Sequence, residues 1–182
     1  LKEKLSKVET SPAEFVEIPR EGERPNLNGY MIKPKDFDPN KKYPVLMYCY
    51  GGPGAQTVRD SWGGMNYLWY QMLASKGYIV VSVDNRGTGA RGRDFRQVTY
   101  GDLGHYELQD QLAAAQWLAQ KSYVDSTRLG IWGWSFGGYL TSLCLTKGNG
   151  LFSMGIAVAP VTNWRFYDTI YTERFLKTPQ LN

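Results

Sequence analysis

The chain has 182 residues, 42% of them hydrophobic and 14% aromatic, which is enough for one domain with a real core and excludes a disordered chain. Its net charge of +4 comes from 21 basic and 17 acidic residues scattered through the sequence, without the basic stripe that nucleic-acid binding needs. No apolar run approaches the roughly 20 residues of a membrane-spanning helix.

The sequence opens on Leu1 rather than Met and shows no charged-then-apolar leader, so it is expected to be an excerpt of a longer protein, and its residues leave the compartment open. Leu1, Leu5 and Val8 fall at helical spacing. Two extended runs follow, about Glu14 to Ile18 and Gly29 to Lys33, closed by Pro34 and Pro39. Tyr43 to Tyr50 (YPVLMYCY) predicts a buried strand that feeds the tight loop Gly51-Gly52-Pro53-Gly54. Met65 to Lys76 then reads as a helix ended by Gly77.

Tyr78 to Asp84 predicts a strand by its alternating β-branched residues, and Tyr106 to Gln120 an amphipathic helix by its leucine and alanine periodicity. Arg128 to Trp132, the helix Phe136 to Lys147 and the strand Met154 to Ala159 repeat the cycle. Such alternation predicts an α/β fold: a mostly parallel sheet flanked by helices on both faces.

Between these elements lie several residues with bland readings. Gly87-Thr88-Gly89-Ala90-Arg91-Gly92 spells a dinucleotide-binding pattern after a strand, but no persuasive helix opens on those glycines. It is read as a connecting loop, and the segment RDFRQVTYGDLG after it likewise as loop. Arg86, Arg91, Arg93 and Arg96 are read as a solvated basic turn rather than an anion site. Cys49 and Cys144, in apolar surroundings, suit buried thiols. With a single histidine and no close cysteine pair, a protein-only zinc site is not expected.

Gly133-Trp134-Ser135-Phe136-Gly137 names a chemistry, because it sits where a strand turns into a helix. A serine on that turn presents its hydroxyl above the sheet, and the flanking glycines let backbones pass closely. Acyl transfer at Ser135 needs donors for the developing oxyanion. The backbone N–H of Phe136 is placed to supply one, and Tyr50, at the end of an early strand, is either a second donor or a core tyrosine. Trp164, Tyr167 and Tyr171 stand at i, i+3 and i+7 and would share one face of a helix, as core or as the wall of a substrate pocket. The base is missing from this pattern. His105 precedes Ser135 and reads as a surface residue at a helix entrance, and no histidine follows, so the chain is expected to hold half of an active site.

The runs GIWGWSFGGYLTS, GIAVAPVTNWRFYDTIYTERF, YGGPGAQ and VDNRGTGARG strongly resemble the prolyl oligopeptidase family of serine peptidases, within it the dipeptidyl peptidase IV branch, over most of Tyr43 to Pro179. The resemblance implies an α/β-hydrolase catalytic domain over 43–182, preceded by a lead-in segment over 1–42 and truncated before the triad aspartate and histidine. It implies Ser135 as nucleophile, Tyr50 as side-chain oxyanion donor, and Phe136, Val161, Trp164, Tyr167 and Tyr171 around the residue before the scissile bond. Phe136 replaces the tyrosine more usual after the serine, but the donor there is backbone. The implied substrates are peptides with penultimate Pro or Ala, cleaved to Xaa-Pro or Xaa-Ala dipeptides. The resemblance further implies no cofactor, allows for a homodimer of the longer protein, and leans towards a periplasmic or extracellular setting. A sister peptidase of tripeptidyl, acylaminoacyl or endopeptidase specificity, or a non-catalytic binding relative, would share the same residues.

Overall fold

The computed structural model describes residue 3, residues 10–20 and residues 22–182; the helical spacing of Leu1, Leu5 and Val8 lies outside the described residues. Six strands form one sheet: β1 (Ala13–Arg20), β2 (Glu23–Ile32), β3 (Tyr43–Tyr48), β4 (Ile79–Asp84), β5 (Val124–Trp134) and β6 (Met154–Val158). Their spatial order is β1-β2-β4-β3-β5-β6. β4, β3, β5 and β6 run parallel, whereas β1 and β2 form an antiparallel hairpin that joins β4 antiparallel. Around the sheet lie α1 (Gly64–Ser75), α2 (Arg93–Gln97), α3 (His105–Ala119), α4 (Phe136–Lys147) and α5 (Thr169–Leu176), with a 3₁₀ turn at Trp164–Phe166. This is the α/β architecture expected, with an antiparallel hairpin added at one side.

The register explains why both faces are covered. Met31, Val81, Met47 and Ile131 are paired neighbours on one face and join the main core with Ala114, Ala115 and Leu118 of α3 and Leu140 and Cys144 of α4. The alternate positions, Ile32, Val80 and Trp132, pack instead with Tyr70 and Ala74 of α1. β4 (IVVSVD) is buried at every position, as a central strand covered by helices on both faces must be. Cys49 and Cys144 are free, buried thiols, in keeping with their apolar surroundings.

One segment departs from expectation. Between Gly92 and His105 the chain forms the short helix α2 rather than loop alone, because Phe95 turns into the main core and its carbonyl accepts the Gly87 N–H at 2.9 Å. Among the described residues no helix is long and apolar enough to cross a membrane.

The buried stripe of α3 is apolar only in its later turns. At its start it presents Glu107, Asp110 and Gln111 inward, all with no exposed surface. Asp110 accepts the Arg86 backbone N–H at 2.7 Å, its Nε at 3.0 Å and its Nη2 at 2.8 Å, with Arg20 3.7 Å away. The Arg86 guanidinium also lies over the Tyr106 ring at 4.6 Å. Arg86 therefore does not belong to a solvated basic turn: burial of its acid partner draws it into the fold. Arg91 covers Phe95 and donates to the Asn26 carbonyl, whereas Arg93 and Arg96 are exposed as expected. Asp110→Ala should lower the free energy of urea unfolding by about 3–5 kcal/mol, since it deletes the acid from a buried ionic cluster. Arg93→Ala should change it by less than about 0.5 kcal/mol.

Candidate active site

Ser135 sits between β5 and α4 with φ 56° and ψ −113°, a left-handed conformation that a serine adopts only when its surroundings impose it. Strain of this kind costs about 1–3 kcal/mol. Two backbone bonds hold the turn: the Ser135 N–H donates to the Val158 carbonyl at 2.9 Å, and the Tyr139 N–H to the Ser135 carbonyl at 3.0 Å. The flanking glycines are required by space, because a Cβ at either Gly133 or Gly137 would run into the carbonyl oxygen of Cys49. The chain just beyond β3 thus runs against the turn that carries the serine, and Tyr50, the residue after Cys49, is brought alongside it.

Tyr50 reaches the Phe136 ring at 6.3 Å between centroids. Partial burial, with Tyr167 nearby, raises its pKa, so the phenol keeps its proton and remains a donor. The loop behind it is fixed by buried polar side chains. Asn85 donates from Nδ2 to the Gly51 carbonyl at 3.0 Å and accepts from Gln111 at 3.0 Å. Asp84 accepts the N–H groups of Thr57 and Val58 at 2.8 and 3.0 Å. The glycines of the 87–92 segment have a use here as well: Gly54 N–H donates to Gly87 O and Gly89 N–H to Ala55 O, both at 2.8 Å. They seat one loop against the other, which supports the connecting-loop reading.

Phe136 is the first residue of α4, so its N–H belongs to the helical turn whose amides have no intrahelical acceptor. That amide, at the positive end of the helix dipole, adjoins Ser135. The Phe136 ring is 2% exposed and packs on Tyr139 and Trp164 at 5.6 and 5.7 Å.

Trp164, Tyr167 and Tyr171 do come together, though not on one helix. Trp164 lies in the 3₁₀ turn capped by Asn163, Tyr167 is extended, and Tyr171 belongs to α5, whose N-cap Asp168 accepts the Tyr171 N–H at 2.8 Å. The two caps break the segment at Tyr167. The rings nevertheless form a cluster: Trp164 stacks on Tyr171 at 5.7 Å and 8°, and Tyr167 stands edge-on to both at 5.9 and 5.4 Å. Val161 is buried at the foot of the group.

All seven residues singled out in the sequence, Tyr50, Ser135, Phe136, Val161, Trp164, Tyr167 and Tyr171, line one cleft of about 10 Å³. A larger cavity of about 590 Å³ lies elsewhere, beside α1, bounded by Phe15, Tyr30, Trp62, Tyr67 and Tyr70. Size is outweighed by chemistry in choosing between them, because the small cleft alone contains a strained serine beside a helix N-terminus and a protonated phenol. His105 is exposed at the start of α3, bonded to Gln109 at 3.1 Å and edge-on to Tyr106. Sequence reasoning passed over Asn85, Gln111, Glu107 and Tyr139, which support the cleft from behind. Their signal was present: three polar residues in the apolar register of α3, and an Asp-Asn pair at the end of β4.

Known proteins resemble this chain in sequence and in fold. A protein of Botryotinia fuckeliana (strain B05.10) named "Probable dipeptidyl-aminopeptidase B" is 54% identical over 151 residues, 82% of this chain and 16% of the relative. A protein of the same name from Aspergillus fumigatus (strain CBS 144.89 / FGSC A1163 / CEA10) is 54% identical over 162 residues, 86% of this chain and 17% of the relative. The chain thus spans about a sixth of the length of the curated relatives it matches. The crystal structure of Porphyromonas gingivalis dipeptidyl peptidase 4 superposes with a TM-score of 0.92 at 51% identity, over 100% of this chain and 25% of that one. The family model described as "Prolyl oligopeptidase family" matches residues 65–182, more than half of the sequence. The elbow, the sheet order that carries it and these matches agree, and the chain belongs to the prolyl oligopeptidase family.

Proposed function

We propose that this chain carries the nucleophile, the oxyanion donors and the ring pocket of a serine dipeptidyl peptidase that releases Xaa-Pro or Xaa-Ala dipeptides from peptide N-termini. The observation that carries the reading is the convergence of Ser135, Tyr50, Phe136 and the aromatic cluster on one cleft. The names of the relatives agree with it.

In this reading Ser135 Oγ attacks the carbonyl carbon while its proton passes to a histidine base. The carbonyl oxygen becomes an oxyanion held by the Phe136 N–H and the Tyr50 O–H. The proton then goes to the leaving amine, and water hydrolyses the acyl-enzyme by the reverse relay. The base and the acid that orients it come from residues of the longer protein outside 1–182; residues 43–182 are the nucleophile-bearing part of the catalytic domain, with 1–42 as its lead-in. His105 faces Gln109 and Tyr106, not the cleft.

Val161, Trp164, Tyr167 and Tyr171 receive the residue before the scissile bond. A proline there has flat apolar faces and no amide N–H, so an aromatic wall leaves no donor unsatisfied. The cleft as it stands has room for about one water, so a prolyl ring enters as the half-exposed Tyr167 gives way.

A fluorophosphonate probe applied to the full-length protein should modify Ser135, read by peptide mapping; modification of Ser61 or Ser153 instead would remove the assignment. Tyr50→Phe should keep the fold and lower kcat by about 10²–10³. Unchanged turnover would make Tyr50 a core residue. Trp164→Ala should raise KM for Xaa-Pro-anilides more than for Xaa-Ala-anilides, by roughly 1–3 kcal/mol of lost apolar contact. Equal losses on both substrates, with a lowered melting temperature, would favour a purely structural cluster.

A further inference from the structure

Behind the aromatic cleft stands the first turn of α3. Gly104 precedes it with φ 97°, and a Cβ there would strike the Tyr139 hydroxyl. That hydroxyl donates to the Leu103 carbonyl at 2.9 Å. The Tyr139 ring in turn backs Trp164 edge-on at 5.3 Å and Phe136 at 5.6 Å. The turn is fastened from inside by Glu107, which has no exposed surface and whose Oε2 accepts the Gly104 N–H at 2.9 Å. Its other oxygen, Oε1, is buried without a hydrogen-bond partner among the described residues. Nothing the peptidase chemistry uses requires an acid at this place.

We propose that Glu107 is a positioning residue held as a neutral carboxylic acid, which fixes the Leu103-Gly104 turn and, through Tyr139, the placement of Trp164 against the substrate ring. The inference rests on the peptidase reading and adds a residue to it.

The carboxylates that face Glu107 oppose its ionisation, and no cation among the described residues is aimed at it. Asp102 stands in the preceding turn, Asp110 lies one turn along α3, and the phenols of Tyr139 on α4 and Tyr171 on α5 feel its charge. The nearest guanidiniums, Arg86 and Arg20, are directed at Asp110. Burial first, and the two aspartates after it, push the Glu107 carboxyl up to about 8, against the backbone N–H bonds that favour the anion. In the unfolded chain it titrates in the ordinary range, about 4.3. Between those two values the folded protein holds a proton that the unfolded chain releases. Its contribution to stability is therefore complete below the ordinary range and is lost as pH rises through about 8. Above that, a carboxylate with one unpartnered oxygen moves towards water, and the turn that backs Tyr139 loosens with it.

The test compares the full-length enzyme with its Glu107→Gln variant, which keeps an acceptor for the Gly104 N–H and cannot ionise. With an Xaa-Pro-anilide, KM of the parent should rise about tenfold more than that of the variant between pH 7 and 9.5, the scale of one lost apolar contact. The substrate amine titrates identically in both, so the difference between the profiles belongs to Glu107. The effect should fall on KM with little change in kcat, and the melting temperature of the parent should drop relative to the variant between about pH 4.5 and pH 8 and level off above it. Tyr139→Phe, which cuts the bond to Leu103, should show the raised KM already at pH 7 and no further alkaline step. Superimposed profiles for parent and Glu107→Gln, or a Tyr139→Phe variant that behaves as the parent, would overturn the proposal even if Glu107→Gln failed to fold. Absence of turnover by the parent at every pH would instead overturn the peptidase reading beneath it.

Discussion

The site depends on one contact between backbones: the carbonyl of Cys49 against the Cα positions of Gly133 and Gly137. Because no side chain intervenes, β3 can end directly under the turn from β5 into α4. That closeness brings Tyr50, two residues beyond the end of β3, against the Phe136 ring and next to the left-handed turn at Ser135. An alanine at Gly137 would push Cys49 and α4 apart, and with them Tyr50 and the Phe136 amide, the two groups proposed to receive the oxyanion. The parallel neighbours β3, β5 and β6 supply the stiffness on which such a contact relies. β5 is paired to β3 from Leu129 to Trp132 and to β6 from Gly130 to Trp134, and the Val158 carbonyl of β6 takes the Ser135 amide.

A second layer of polar groups lies under the loops. Asn85, Gln111, Asp110 and Glu107 are wholly buried, and three of them face inward from the first two turns of α3 where an amphipathic helix would ordinarily be apolar. Leaving one such group unsatisfied costs about 1–3 kcal/mol, a range that overlaps and extends above the roughly 0.5–1.5 kcal/mol of a typical aromatic pair. The hydrogen bonds of Asn85, Asp110 and Gln111 therefore fix the loops under the cleft at least as firmly as ring contacts fix its walls.

Much of this was legible in the sequence, for physical reasons that differ from element to element. The dense run of β3, the alternation of β4 and the glycines about Ser135 each answer to a local rule, so the strands, the elbow and the order of helices could be read directly. Trp164, Tyr167 and Tyr171 were rightly grouped, but by a helical period that Asp168 interrupts with its own cap. What escaped was partnership across the fold. Arg86 stands in a basic, glycine-rich segment, and only the burial of its partner Asp110, 24 residues on, draws it into the fold. Phe95 looked like part of a loop because the core it enters is built from strands elsewhere in the chain.

Cys49 has a chemical consequence of its own. Its sulfur is wholly buried, 3.6 Å from the Gly137 carbonyl and 3.7 Å from the Thr141 hydroxyl, and burial pushes its thiol up to about 12. Cys144 is buried as well, with its pKa raised for the same cause. Neither presents a thiolate to solvent at neutral pH, and alkylating agents and peroxides act on thiolates. Reagents selective for cysteine should leave both thiols unmodified while the domain is folded. Alkylation of Cys49 or Cys144 would then report opening of the fold around Ser135 rather than attack on an exposed group.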